Sequence, residues 1–168
     1  MGLLDKTRRK IAGDAAARQP RREDVWKISD RTAFLIAMSE RLCAKCGEGE
    51  WLSALSPEER TTYAVDAFQR EVSNGGFEQY LCNSSGALAG ELLDALRAVG
   101  AEIYRPVLAA LPAAWPADEE ERRKLLDEVL TERVSERLDQ CDERFYECSD
   151  DLEESLYRCI VQNRRSFE

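Results

Sequence analysis

The chain has 168 residues, a net charge of −9, 43% hydrophobic residues and no histidine. This length favours one domain that buries roughly 70% of its unfolded surface, so a core does not require disulfides. The acidic composition argues against nonspecific binding of nucleic acid and favours either solubility or a basic partner. No apolar run approaches membrane-spanning length, and the apolar segment at the start of the chain is too short for a secretory signal. We therefore expect a cytoplasmic protein with no membrane contact.

The first 22 residues form a basic arm. Seven basic groups stand there against two acidic ones, which gives +5 and leaves −14 for the rest of the chain. Leu3, Leu4 and Ile11 could form one or two amphipathic turns. A mobile arm, a docked helix and an arm that touches anionic surfaces are all compatible with this pattern. We assign residues 1–22 to the arm and residues 23–168 to one α-helical domain.

Two capped helices are predicted in the first half of the chain. Asp30 can cap a helix that runs to about Cys46 and stops at Gly47. Ser56 can begin a second helix, because a proline follows it and a glutamate stands at the third helical position. Spacings of three and four predict that one face of this helix lies in the core, through Ala64, Ala67, Phe68 and Val72.

Further helices are predicted in the second half. Residues 87–99 and 101–111 each carry helical apolar spacing. From residue 118 onward the chain has no glycine or proline, which predicts a long helix, a break near Ser149 and a final helix that ends near Asn163. Short β-branched runs are missing. The predicted fold class is therefore all-α, a single-domain bundle of about six to eight helices with no sheet.

The most specific stretch is EVSNGGFEQYLCNSSG at residues 71–86. A helix should end here, with Asn74 and Gly75 in the left-handed conformation that closes helices. We expect Asn74, Gln79 and Asn83 to be buried and bonded to the backbone ends of neighbouring helices. The stretch is interpreted as a structural corner, and we call its key residues the signature: Glu71, Asn74, Gly75, Gly76, Phe77, Gln79, Tyr80, Asn83, Ser84 and Gly86.

The same polar side chains allow an enzymatic interpretation. Glu71 could act as a base, with the amides of Asn74, Gln79 and Asn83 as oxyanion donors. No motif indicates a reaction class, however, and a chain without histidine lacks the usual catalytic base and nucleophile pairs. We therefore favour a non-catalytic protein with no catalytic residue and no cofactor.

The cysteines raise the question of a metal or redox site. Cys43 and Cys46 have the spacing of such sites, but zinc would need two further ligands, which Cys141 and Cys148 would have to supply. The βαβ context of a redox motif is absent. Thiols stay reduced in the cytoplasm, and a buried cysteine packs as a small hydrophobe. We expect no bound metal and no disulfide.

The pattern E-V-x-N-G-G-F-x-Q-Y-x-x-N-S-x-G resembles the signature of the bacterial DNA-mimic protein domain family, which is all-α. The resemblance runs from about Leu55 to Ile160, and a second similar piece is LDQCDERFY at residues 138–146. It implies a dimer whose surface is similar to double-stranded DNA in shape and charge, with DNA-binding proteins as partners. Fold transfers from such a resemblance better than function does.

Acidic residues concentrate near the end of the chain. Residues 118–154 contain sixteen acidic and six basic groups, a net of −10. Spacings of three and four align five of the acidic residues along one helix, and we call them the acidic row: Glu132, Glu136, Asp139, Glu143 and Glu147. Neighbouring carboxylates would lie about 5–6 Å apart, close to the spacing of phosphates along a DNA strand.

The acidic row is a candidate partner-binding face, because it would offer a DNA-binding protein the charge that its arginines and lysines recognise. Alternatively it is only a solvated face, or its charges are paired with Arg133, Arg137 and Arg144. We predict a non-catalytic interaction protein that binds a basic transcription regulator or nuclease and that could form a homodimer. The alternatives are an immunity or antitoxin-type binder of a basic nuclease and the enzyme described above.

Overall fold

The computed structural model describes residues 25–110, 118, 120, 121, 123, 124, 127, 132–148 and 152–168, without the side chains of residues 106, 107, 109, 110 and 132–137. The basic arm and the predicted break near Ser149 lie outside the described residues. No strand occurs within these ranges, which confirms the all-α prediction for this part of the chain.

Six α-helices account for most of the described chain. They are α1 (Arg31–Cys46), α2 (Pro57–Cys82), α3 (Leu92–Ala98), α4 (Glu132–Glu147), α5 (Leu152–Gln162) and α6 (Arg164–Phe167). Three 3₁₀ segments connect them, at Leu52–Ala54, Ser84–Leu88 and Glu102–Ala110. No helix among the described residues combines the length and the apolar character that crossing a bilayer requires.

The first two helices begin as their caps predict. The backbone N–H of Ala33 donates to the Asp30 side chain at 2.8 Å, and Gly47 ends α1 with a φ of 60°. In the capping box of α2, Ser56 N–H donates to Glu59 Oε2 at 2.8 Å and Glu59 N–H donates to Ser56 Oγ at 3.2 Å. Both helix starts are thus confirmed, because capping depends only on residues close together in the chain.

Between residues 84 and 110 the chain is less α-helical than predicted. Gly86 N–H donates to Asn83 O at 2.9 Å and Ala89 N–H donates to Gly86 O at 3.1 Å, which are the i to i−3 bonds of a 3₁₀ helix. The predicted helix over 87–99 therefore begins only at Leu92. The predicted helix over 101–111 is also wrong, because a 3₁₀ segment occupies this stretch and its proline cannot donate a helical hydrogen bond.

Helix α2 lies at the centre of the fold and contacts each of the other five helices. Its Phe68 side chain is fully buried, and its ring meets three others nearly edge to face: Phe77 at 5.5 Å, Tyr80 at 5.4 Å and Phe145 at 5.5 Å. Such aromatic pairs add about 0.5–1.5 kcal/mol each beyond their burial. One cluster of buried side chains draws on all six helices, so α2 and α4 are held in a common core.

Candidate functional site

Helix α2 is broken inside the signature. Gly76 has a φ of 77° and a ψ of −176°, and the chain is helical again on its far side. Only glycine adopts this conformation without strain. The prediction that Asn74 and Gly75 would be left-handed is wrong, because Gly76 carries the positive φ and Gly75 has a φ of −161°. The helix resumes after the break instead of ending there.

One carboxylate bridges the two halves of α2. Gln79 Nε2 donates to Glu71 Oε2 at 2.8 Å, and Asn83 Nδ2 donates to the same oxygen at 2.7 Å. Asn74 and Asn83 are exposed and Gln79 is half-buried, so the prediction that these amides are buried and bonded to backbone is wrong. The reason is that a charged acceptor on the same helix satisfies two of them at the surface.

Several of the remaining signature residues stabilise the corner by close packing or by a hydrogen bond. Phe77 and Tyr80 are fully buried. The Ser84 hydroxyl donates to Glu48 O at 3.1 Å, which ties the corner to the loop after α1. A Cβ at Gly86 would lie 2.2 Å from Leu81 O, so a larger residue would displace the backbone.

Residues 138–146, which form the second part of the family resemblance, contact α2 at this break. Phe77 N–H, the first amide after Gly76, donates to Asp142 Oδ1 at 2.8 Å, although the two residues are 65 positions apart. Tyr146 Oη donates to Val72 O at 3.2 Å on the other side of the break. A Cβ at Gly76 would lie 2.5 Å from Asp142 Oδ2, so the glycine also leaves room for this carboxylate.

Asp142 thus caps the second half of α2 from another helix. Its pKa lies above the usual value because burial outweighs the hydrogen bond from Phe77, and the neighbouring Asp139 adds to the rise. Sequence reasoning missed this role. The available signal was its position three residues before the buried Phe145, on the same face of α4.

The outer face of α4 carries three acidic side chains of the row. Asp139, Glu143 and Glu147 are exposed, whereas the inner face is buried through Leu138, Cys141 and Phe145. Glu132 and Glu136 belong to α4, but their side chains lie outside the described residues, as do those of Arg133 and Arg137. In the part of the chain that is described, no ion pair involves Asp139, Glu143, Glu147 or Arg144.

Two other exposed acidic groups lie near the end of α2. The pKa of Cys82, at the end of α2, is raised by partial burial and further by the charges of Glu78 and Asp127. Glu78 and Asp127 are both exposed. Exposed carboxylates therefore lie on both α4 and the second half of α2, which meet at the signature.

Three of the six cysteines lie in the core. Cys43, Cys46 and Cys141 are buried, and no disulfide forms among the described residues. Burial raises the pKa of Cys43, although Arg70 Nη1 lies 3.5 Å from its sulfur and opposes the rise. Across the described ranges, no three cysteine, aspartate or glutamate side chains converge as a metal site would require.

This geometry defines a class of protein. The described chain is all-α, and its acidic helix α4 packs against the broken central helix α2. Residues 53–163 match the family described as DMP19-like protein, and this match covers more than half of the 168-residue chain. The chain belongs to this family, which is the DNA mimic protein family. No curated protein and no solved structure matches the chain.

Proposed function

We propose that the protein is a non-catalytic interaction protein of the DNA-mimic type and that the acidic row of α4 binds a basic partner, either a transcription regulator or a nuclease. The observation that carries the proposal is the exposure of Asp139, Glu143 and Glu147 without a described ion pair, on a helix whose other face is buried.

The physical basis is preorganised charge. Helix α4 is anchored by Phe145 in the core and by the bonds of Asp142 and Tyr146 to α2, so its outer carboxylates are presented by a rigid element. Binding a basic surface then costs little ordering of the acidic side. Clustered negative charge also accelerates the encounter with a positively charged partner.

The rest of the proposal extends this face. Glu132 and Glu136 would continue the row by about two turns toward the start of α4. A homodimer would present two such rows, and we place the protein in the cytoplasm. An immunity or antitoxin-type protein against a basic nuclease would use the same face, so the identity of the captured partner decides between these functions.

The test compares a charge-reversed variant with a matched control. The tagged protein is used to capture partners from the cytoplasm of its source, and the captured proteins are identified by mass spectrometry. We expect a DNA-binding protein or nuclease that is released at high salt, since exposed charges interact over only about 8 Å at physiological ionic strength. Duplex DNA should displace it competitively, because both ligands would occupy one basic surface.

The variant with Asp139→Lys, Glu143→Lys and Glu147→Lys should lose this partner while its helical content stays at the wild-type level. The control with Glu48→Lys, Glu50→Lys and Glu102→Lys makes the same charge change at exposed positions outside α4 and should keep the partner. Equal capture by both variants, or binding that duplex DNA leaves unchanged, would contradict the proposal.

A further inference from the structure

A cleft of about 450 Å³ opens between helices α1, α2 and α5. Leu35 and Ile36 of α1 and Leu156 of α5 are the large aliphatic side chains that line it. Ile36 is 56% exposed, although a side chain of this type prefers the interior. A lone exposed aliphatic residue is common, but this one borders a concave apolar surface of the size that ligand sites have, which indicates a binding site.

Each of two helices lines the cleft over about two turns. On α1 the lining residues run from Thr32 to Glu40, and on α2 they run from Asp66 to Asn74. They recur at spacings of three and four, so each helix contributes one face over roughly 12 Å. An extended chain that follows either helix covers this length with about four residues.

The charged lining residues are mostly acidic. Glu40, Asp66 and Glu153 line the cleft, and Arg70 is the one basic side chain among its described lining residues. Arg70 Nη1 lies 3.5 Å from Asp66 Oδ2, which also accepts the Ser39 hydroxyl at 2.7 Å. Glu40 and Glu153 take part in no ion pair within the described ranges. A positively charged occupant therefore complements these two carboxylates.

The α2 wall can recognise the backbone of a bound segment. Gln69, Ser73 and Asn74 line it, and no hydrogen bond among the described residues uses their side chains. Their amide and hydroxyl groups can both donate and accept. An extended segment offers free backbone N–H and C=O groups to such side chains, whereas a helix has already paired most of its own. The wall therefore suits an extended occupant better than a helical one.

We propose that the cleft binds a short extended segment of a partner protein in which large aliphatic residues alternate with arginine or lysine. Successive side chains of an extended chain point to opposite sides, so the aliphatic ones can all enter the cleft. They would pack on Leu35, Ile36 and Leu156. The long basic side chains would turn back to the carboxylates of Glu40 and Glu153.

Binding of a synthetic probe to the full-length protein tests the proposal. The probe is a fluorescein-labelled peptide of about eight residues in which leucine and arginine alternate, and the control peptide carries serine in place of each leucine. Fluorescence anisotropy should show saturable binding of the probe and a several-fold higher Kd for the control peptide. Equal Kd values would mean that charge alone drives binding. That result, or a probe that does not bind saturably, would overturn the proposal.

A pair of variants tests whether the probe occupies the cleft. Ile36→Ser should raise the Kd of the probe several-fold, whereas Val161→Ser, at a 45% exposed position outside the cleft, should leave it unchanged. Equal effects of the two would overturn the proposal. A second copy of the chain is the other candidate occupant. A dimer that Ile36→Ser dissociates in sedimentation and that excludes the probe would assign the cleft to that copy and would also overturn the proposal.

Charge reversal gives a further readout. Glu40→Lys with Glu153→Lys should raise the Kd of the probe several-fold more than Glu48→Lys with Glu50→Lys, which changes the net charge equally at exposed positions outside the cleft. Circular dichroism checks that both variants keep the wild-type helical content. Equal Kd values for the two pairs would overturn the proposal.

The probe also separates this inference from the proposed function. The triple lysine variant of the acidic row should bind the probe more tightly than the variant with Glu40→Lys and Glu153→Lys does. If the row variant alone lost the probe, the probe would lie on α4 and the inference about the cleft would be wrong, while the proposed function would stand. The inference does not depend on that function, because none of these measurements involves the partner of α4.

Discussion

The two faces of helix α4 differ in how the rest of the molecule uses them. The inner face packs Leu138 and Phe145 into the core and uses Asp142 to cap the broken helix α2. The outer face carries Asp139 and Glu143 in water, without a described ion pair. One helix thus separates two tasks: Leu138, Cys141 and Phe145 recur at helical spacing on its buried side, Asp139, Glu143 and Glu147 recur on its exposed side, and the half-buried Asp142 lies at the edge between them.

Two acidic residues on this helix illustrate the difference. Asp142 accepts a backbone hydrogen bond at 2.8 Å from the first residue after the break, and it is partly buried. Asp139, three residues earlier, is exposed. Residue type alone therefore does not show which carboxylate is structural and which is available to a partner. The separation can be tested by substitutions on each face.

The largest effect should come from the inner face. Phe145→Ala removes a ring that packs against Phe68 and Tyr104 and should lower the free energy of unfolding by about 3–5 kcal/mol. Glu143→Ala, on the outer face of the same helix, should stay within about 0.5 kcal/mol of wild type. Urea denaturation followed by circular dichroism measures both. Similar losses for the two variants would mean that the faces are not separate.

A smaller effect is expected at the cap. Asp142→Ala removes the acceptor of Phe77 N–H and should cost about 0.5–2 kcal/mol, the usual range for a helix cap. Asp142→Asn keeps an acceptor oxygen and should cost less. If both variants were as stable as wild type, the docking of α4 onto the break would not depend on this hydrogen bond.

The same residue predicts a pH dependence. The pKa of Asp142 is raised above its ordinary value of 3.8 in the folded protein, so the folded state binds more protons than the unfolded state in this region. Its contribution to stability should therefore fall as the pH rises from about 3.8 through the folded pKa. The difference in stability between wild type and Asp142→Asn should therefore change in the direction that disfavours the wild type as the pH rises over this window. A change in the opposite direction would reverse the assigned sign.

The smallest effect is expected at Asn83. Its amide donates to Glu71 at 2.7 Å, but the residue is exposed and water can replace the bond. Asn83→Ala should therefore lower the free energy of unfolding by about 0.5 kcal/mol, which is at the low end of the range for a hydrogen bond. Combination with Glu71→Gln in a double-mutant cycle isolates the bridge across the break. If Asn83→Ala lowered the free energy of unfolding by more than about 2 kcal/mol, the hydrogen bond between Asn83 and Glu71 would contribute as much as a buried one does.

The amino-acid sequence by itself determined the features that depend on neighbours along the chain. The caps at Asp30 and Ser56 and the spacing of Phe68 and Val72 were correctly predicted, as was the all-α class. Helix capping and amphipathic spacing act over one or two turns, so they can be recognised without knowing the fold. The family that the resemblance predicts is likewise confirmed, by the match over residues 53–163.

Only the tertiary structure decided how these local elements meet. The signature predicted the end of a helix, but Gly76 breaks α2 and the helix continues, because its new first amide finds the carboxylate of Asp142 on α4. That acceptor is 65 residues away, and no local pattern connects the two positions. The cleft between α1, α2 and α5 also exists only through packing. Contacts between distant segments depend on how helices pack in three dimensions, which the spacing of residues within each helix does not specify.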